Sequence, residues 1–210
     1  FARALLGFLP GGLGVVTVAS CLMFGGVSGS AIADTAAIGS LVIPSMLKRG
    51  YSRGFAAALL AVAGTLALLM PLSIPFPVYA FLSGVSMRQL SMAGLVPGLV
   101  MAVALVGVCV WYGRKSGCDS GDVRASRAEI WAAARDAGPA LMMPLIIVGG
   151  IWSGVFTPTE SAAVAVVYGT LVSLFLYRDI TARDLPRLLV NAFQTSATVM
   201  LVIGATGALA

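Results

Sequence analysis

The chain has 210 residues, 59% of them hydrophobic and only 10% charged, with a net charge of +5 and a mean hydropathy of +1.00. A soluble domain carries about a quarter charged residues, so the solvent for most of this surface is lipid. Lysines and arginines are confined to the stretches between apolar runs, which reads as membrane topology and not as a nucleic-acid surface.

Apolar segments fall at 11–47, 54–82, 89–113, 138–153, 159–177 and 188–210. The first is too long for one crossing: as a single helix it would reach about 55 Å, against a hydrocarbon core of about 30 Å. Split at Ser28–Gly29–Ser30 it becomes two halves of about 17 residues, each just membrane-length. The expectation is a hairpin that folds back near Gly29. Charge placement agrees. Arg3 precedes the hairpin, and Lys48, Arg49 and Arg53 follow it. If it enters and leaves on one face, then 54–82 crosses, 89–113 returns to Arg114, Lys115, Arg124, Arg127 and Arg135, and the pair 138–153 and 159–177 goes out and back to Arg178, Arg183 and Arg187. Every basic residue except Arg88 then shares one side, which the positive-inside rule makes cytoplasmic.

The second segment is broken. Pro71, Pro75 and Pro77 stand within MPLSIPFPVY, too close for a continuous helix, with Gly64 and Thr65 just before them. A break at membrane depth frees backbone groups and is tolerated only inside protein or against a wet cavity. The polar stretch 114–135 is the candidate linker, with room for a short interfacial helix. The predicted organisation is 1–113 as hairpin, broken helix and following span, 114–137 as a cytoplasmic loop, and 138–210 as further spans. Phe1 opens the chain without an initiator Met, and the last residues stay apolar, so it reads as an interior piece of a longer protein.

Small polar groups gather where the helices are interrupted. Ser28, Ser30 and Thr35 supply hydroxyls, Gly29 lets the backbone turn, and Asp34 offers a carboxylate. Ser73, between prolines, is the counterpart on the broken helix. Half-helix ends carry unpaired carbonyls and amides, and secondary transporters use such ends to hold Na⁺ and anionic substrates near the midplane. The plain alternative is that small residues only let helices pack closely. Asp34 is open to two readings: ion or proton coupling, as an acid at membrane depth, or hydrogen bonding to backbone amides beside the tip. Thr157-Pro158-Thr159-Glu160 reads as a helix start, with Thr157 as N-cap, Pro158 first in the helix and Glu160 closing a capping box.

Gly26-Val27-Ser28-Gly29 matches the surroundings of an intramembrane serine nucleophile. That chemistry needs a base, the chain has no histidine, and Lys48 and Lys115 lie at membrane edges. Gly94…Gly98 and Gly150…Gly154 match GxxxG and count only as packing. Cys21, Cys109 and Cys118 form no CxxC pair; the first two sit in apolar runs as small packing residues. Three functions stay open on the residues alone: ion-coupled secondary transport, a membrane enzyme using Ser28 or Asp34, and a structural subunit.

PGGLGVVTVASCLMFGGVSGSAIADTAAIG followed by KRGYSRGFAAAL, then GLVPGLVMA and GGIWSGVFTPTESAAVAVVYG, resembles the large membrane subunit of TRAP transporters, the DctM-like permeases. The resemblance covers nearly the whole chain in the same order. It implies an all-α membrane protein of the elevator type, built of two inverted repeats that each hold a re-entrant hairpin and a broken helix, with the second hairpin beyond Ala210. It implies Na⁺-coupled import of organic anions such as C4-dicarboxylates or sialic acids across the bacterial inner membrane, with a small DctQ-like membrane subunit, a periplasmic binding protein and no further cofactor. Carried over from it, the hairpin tip is Ser28, Gly29 and Ser30, with Asp34 after it, and the broken helix matches at Pro71, Ser73, Ile74 and Pro75. With the hydroxyl of Thr35 these make the expected site, and the hydroxyls at the two interruptions make Ser28, Ser30 and Ser73 the expected Na⁺ ligands. Leu72 departs from the pattern, since a second proline is usual there.

Overall fold

A computed structural model of the chain describes residues 2–71, 73–119, 125–181 and 183–209. Among them the regular structure is entirely helical: α1 (Ala2–Leu6), α2 (Gly12–Ser28), α3 (Ala31–Lys48), α4 (Arg53–Thr65), α5 (Pro75–Ser83), α6 (Met87–Ser116), α7 (Arg127–Trp152), α8 (Pro158–Leu171) and α9 (Leu185–Leu209). Four stretches are long and apolar enough to cross a membrane by length and composition: Ala31–Lys48, Met87–Ser116, Arg127–Trp152 and Thr159–Tyr177. Leu72 and Arg124, which entered the reading of the break and of the charge pattern, lie outside the described residues.

The chain divides into two compact units, Phe1–Ala80 with Val85–Gly138, and Phe81–Gly84 with Pro139–Ala210. In the first, α2 and α3 form the expected hairpin, of 17 and 18 residues, joined by Gly29 and Ser30. Gly29 makes the reversal at φ 60°, ψ 10°, a left-handed conformation that glycine adopts without a Cβ penalty. α3 packs on α4, and α2 packs on α4 and α6. Between these helices lie Val15, Val18, Cys21, Met46, Leu59 and Cys109, all buried. Cys21 and Cys109 are free thiols in the helix interfaces, as small packing residues should be.

Lipid tails are as apolar as the side chains they would replace, so helices in a membrane gain stability chiefly from close packing. Here the approach is backbone to backbone. A Cβ on Gly11 would fall on the carbonyl oxygen of Cys109, and one on Gly113 would stand 2.6 Å from the Cα of Gly11. The start of α2 and the end of α6 therefore meet with no room for a methyl group. On the outward side of α6, Val96, Val100 and Val103 are exposed, the opposite of a water-facing helix.

The second apolar segment is interrupted as its prolines require. α4 gives way to a 3₁₀ turn at Leu66–Leu69, Met70 is extended (φ −76°, ψ 152°), and α5 starts at Pro75. Pro75 and Pro77 occupy the first turn of α5, where a missing N–H costs nothing. Gly94 and Gly98 on α6 receive this region: a Cβ at Gly98 would stand 2.8 Å from Met70 Cε, and one at Gly94 would meet Phe76. That GxxxG pair is thus packing. Of the other pair, Gly150 lies under the Phe156 ring, but Gly154 faces open space and instead makes a turn at φ 75°.

Ten residues separate α6 from α7, and among the described residues of 114–135 no separate short interfacial helix stands between them: from Arg127 the chain is helical as far as Trp152, through Pro139 and Pro144. In the second unit Tyr168 donates to the Pro139 carbonyl at 2.8 Å, tying α8 to α7, and α8 runs on into a π-helical stretch at Val172–Tyr177. α8 opens with the expected capping box. Thr157 Oγ1 accepts from the Glu160 amide at 3.3 Å, and Glu160 Oε2 accepts from the Thr157 amide at 2.8 Å.

Two outcomes follow. In the complete protein, cysteines replacing Leu5 and Leu47, both partly exposed, are labelled by an impermeant thiol reagent from the same membrane face; labelling from opposite faces excludes a hairpin that enters and leaves on one side. Glu160→Gln keeps the side-chain acceptor of the capping box, so thermal stability in detergent should be nearly unchanged, whereas Glu160→Ala should cost about 1 kcal/mol; equal losses in the two variants contradict the capping role.

Candidate functional site

The tip of the hairpin joins two helix ends of opposite polarity. α2 ends there with its carbonyls, and the Gly29 amide donates back to the Gly25 carbonyl. α3 begins there with its amides, and Ser30 caps it by accepting from the Ala33 amide at 3.3 Å. One short turn thus presents the negative end of one helix dipole and the positive end of another.

The broken segment reaches this tip. The Ile74 amide donates to the Gly29 carbonyl at 3.4 Å, a long bond but one that sets residues 73–74 directly against the turn. The Ser73 amide folds back onto the Met70 carbonyl at 2.9 Å, and the freed Pro71 carbonyl accepts from Ser91 of α6 at 3.1 Å. The Ser73 hydroxyl is fully buried, with no partner among the described residues.

Asp34 is fully buried on α3. Its Oδ1 accepts from the Ser28 hydroxyl, and Ser28 Oγ accepts from the Ser30 amide at 3.2 Å. The acid thereby braces the turn through Ser28, not through direct bonds to amides. Its Oδ2 has no partner among the described residues. A Cβ on Gly25 would lie 3.0 Å from that oxygen and 2.7 Å from the Ala67 Cα, so α2, α3 and the 3₁₀ turn close around it. An unpaired buried oxygen carries a desolvation penalty of about 1–3 kcal/mol, more when charged, and two such oxygens flank this tip.

Of the residues expected here, Ser28, Gly29, Ser30 and Asp34 form the turn, while Pro71 and Ser73 form the break beside it. Thr35 is turned differently: its hydroxyl donates to its own helix at the Ala31 carbonyl (2.7 Å), and its Oγ1 occupies the space that a Cβ on Gly64 would need. Sequence reasoning missed Ser91, whose only signal was a serine in an apolar helix, and Asp119, one of several polar residues in a loop. The donor set of hydroxyl oxygens, carbonyl oxygens and one carboxylate suits a hard cation such as Na⁺. Ser28 and Ser30 are already hydrogen-bonded, yet each hydroxyl oxygen has a second lone pair.

The chain matches, over residues 1–210, the family described as the DctM component of tripartite ATP-independent periplasmic transporters. It belongs to that family. It is 41% identical over 203 residues (96% of this chain, 32% of the relative) to an isethionate TRAP transporter permease protein, DctMQ, of Oleidesulfovibrio alaskensis. It is 38% identical (97% of this chain, 49% of the relative) to a C4-dicarboxylate TRAP transporter large permease protein, DctM, of Rhodobacter capsulatus. It is also 38% identical (95% of this chain, 47% of the relative) to an ectoine TRAP transporter large permease protein, TeaC, of Halomonas elongata. The chain spans about a third to a half of these relatives' lengths. The DctM family is one of transporter components and not of enzymes. That agrees with the chemistry of Ser28, whose hydroxyl donates to a carboxylate, a weak base for activating a nucleophile.

The Thr35–Gly64 contact can be tested directly. Gly64→Ala should lower stability by about 1–3 kcal/mol, since the new methyl has nowhere to go. Gly64→Ala combined with Thr35→Ala should regain at least about 1 kcal/mol of that loss. Thermal unfolding in detergent reads both, and strictly additive effects contradict the packing described.

Proposed function

We propose that this chain is part of the large permease subunit of a Na⁺-coupled TRAP importer of organic anions in the bacterial inner membrane. The observation that carries the reading is the meeting of two interrupted helices at Gly29 and Ile74, with two buried unpaired oxygens, Asp34 Oδ2 and Ser73 Oγ, beside the contact. Membership of the DctM family supports it. The relatives are named for isethionate, C4-dicarboxylate and ectoine, so the proposal names no individual substrate.

Ser28, Ser30 and Ser73 would hold the ion, with the free oxygen of Asp34 beside them. A bound Na⁺ would supply positive charge to oxygens that otherwise lack partners. The chain's own residues do the rest. Gly29 sets the turn, Asp34 orients Ser28, and Ser91 holds the Pro71 carbonyl so that the break keeps its shape. The amides at the start of α3 carry the partial positive charge that an anionic substrate group would meet. A small DctQ-like membrane subunit and a periplasmic binding protein would complete the transporter, and the movement would be of the elevator type.

Removing one oxygen ligand costs about 1–3 kcal/mol, equivalent to a five- to hundredfold change in affinity. Ser73→Ala and Ser30→Ala should therefore raise the Na⁺ concentration for half-maximal uptake by roughly that factor. Ser73→Ala is the cleaner variant, because Ser30 also caps α3. The measurement is uptake by the complete transporter against Na⁺, with substrate-loaded binding protein held constant. Wild-type Na⁺ dependence in both variants would leave these serines as packing residues.

A further inference from the structure

At the opposite end of the hairpin a second buried carboxylate is fully engaged. Asp119 follows α6 in a left-handed conformation (φ 50°), rare for a residue with a Cβ. Its side chain is 1% exposed. Oδ2 accepts from the Leu13 amide at 2.7 Å, in the first turn of α2, and from the Tyr51 hydroxyl at 3.2 Å. Oδ1 accepts from Arg49 at 2.7 Å, at the end of α3. The Asp119 carbonyl takes the Gly11 amide at 2.9 Å, and Tyr51 Oη takes the Gly14 amide at 3.3 Å. Burial pushes the Tyr51 phenol well above its ordinary value, so it stays a donor. One carboxylate thus caps the first leg of the hairpin from 106 residues away and binds the residues that end the second leg.

We propose that Asp119 is a positioning residue that clamps both feet of the hairpin to the end of α6, so that hairpin and α6 act as one body and any opening of the hairpin itself is confined to its tip. Three features argue for a clamp and against a gate. Both carboxylate oxygens are used, each in a charge-assisted or N-cap bond, the strong kinds of hydrogen bond. The backbones at Gly11 and Gly113 touch without space for a methyl, so separating the feet means separating α2 from α6. The strained backbone at Asp119 is held by its own carbonyl bond to Gly11.

Cys118, a free and buried thiol next in sequence, is a built-in reporter. Burial, and then the Asp119 charge, push its pKa upward, so it reacts slowly while the clamp is closed. The experiment is alkylation of the complete transporter in proteoliposomes by N-ethylmaleimide, with Cys118 modification followed by mass spectrometry. At rest, Arg49→Gln and Tyr51→Phe should each speed alkylation of Cys118 at least threefold, and Asp119→Asn at least tenfold. The Arg49 variant separates opening from simple electrostatics: losing a nearby positive charge alone disfavours the thiolate and slows the reaction. Unchanged or slower alkylation in Arg49→Gln and Tyr51→Phe overturns the clamp, even if Asp119→Asn fails to accumulate. The second arm rests on the transport reading. During uptake the wild-type rate at Cys118 should stay within twofold of the resting rate, and a larger increase shows a gate that opens. The resting comparison stands whether or not Na⁺ drives uptake, so failure of the clamp and failure of the coupling remain distinguishable.

Discussion

A backbone amide or carbonyl inside a bilayer has no water to fall back on, and the architecture of the first unit answers that constraint at two places. The chain stops being helical at Gly29–Ser30 and again at Met70, ahead of the start of α5 at Pro75. Each interruption frees groups that lipid cannot satisfy. They are brought together, so that the Gly29 carbonyl receives the Ile74 amide and the Pro71 carbonyl receives Ser91. Gly94 and Gly98 give the broken segment a surface on α6 that it can approach closely. Remove the need to cover these groups, and neither the serines nor the glycines around them have a reason to be where they are.

The two ends of the hairpin solve the same problem in opposite ways. At the base, Asp119 uses both oxygens on three donors from two stretches of chain. At the tip, Asp34 uses only one of its oxygens and Ser73 Oγ uses none of its capacity among the described residues. A satisfied network rigidifies, whereas an unsatisfied one costs free energy until something fills it. This asymmetry ties the two proposals together: an anchored base and a tip with spare ligands are what a binding hairpin needs.

Placement in the DctM family constrains this picture without replacing it. The family match runs over the whole chain, while relatives of similar identity bear the names of different substrates. What the tip supplies is generic: hydroxyls, carbonyls, helix-end amides and one acid.

Much of this was legible in the residues. Bilayer thickness and helix rise force a 37-residue apolar segment (11–47) to fold, and glycine between serines says where, so the turn at Gly29 followed from local chemistry. Prolines in the second segment required its break, and the capping box at Thr157–Glu160 needs only a four-residue pattern. These are short-range effects, fixed by sterics and by groups a few residues apart. Asp119 was out of reach for the opposite reason: its side-chain partners lie 68 to 106 residues away, and nothing in a polar loop marks which acid will meet a helix end. Thr35 shows the same limit, since only the approach of Gly64 reveals that its side chain faces α4. Which oxygens remain unpaired was also decided in three dimensions, because pairing depends on where neighbouring helices place their donors.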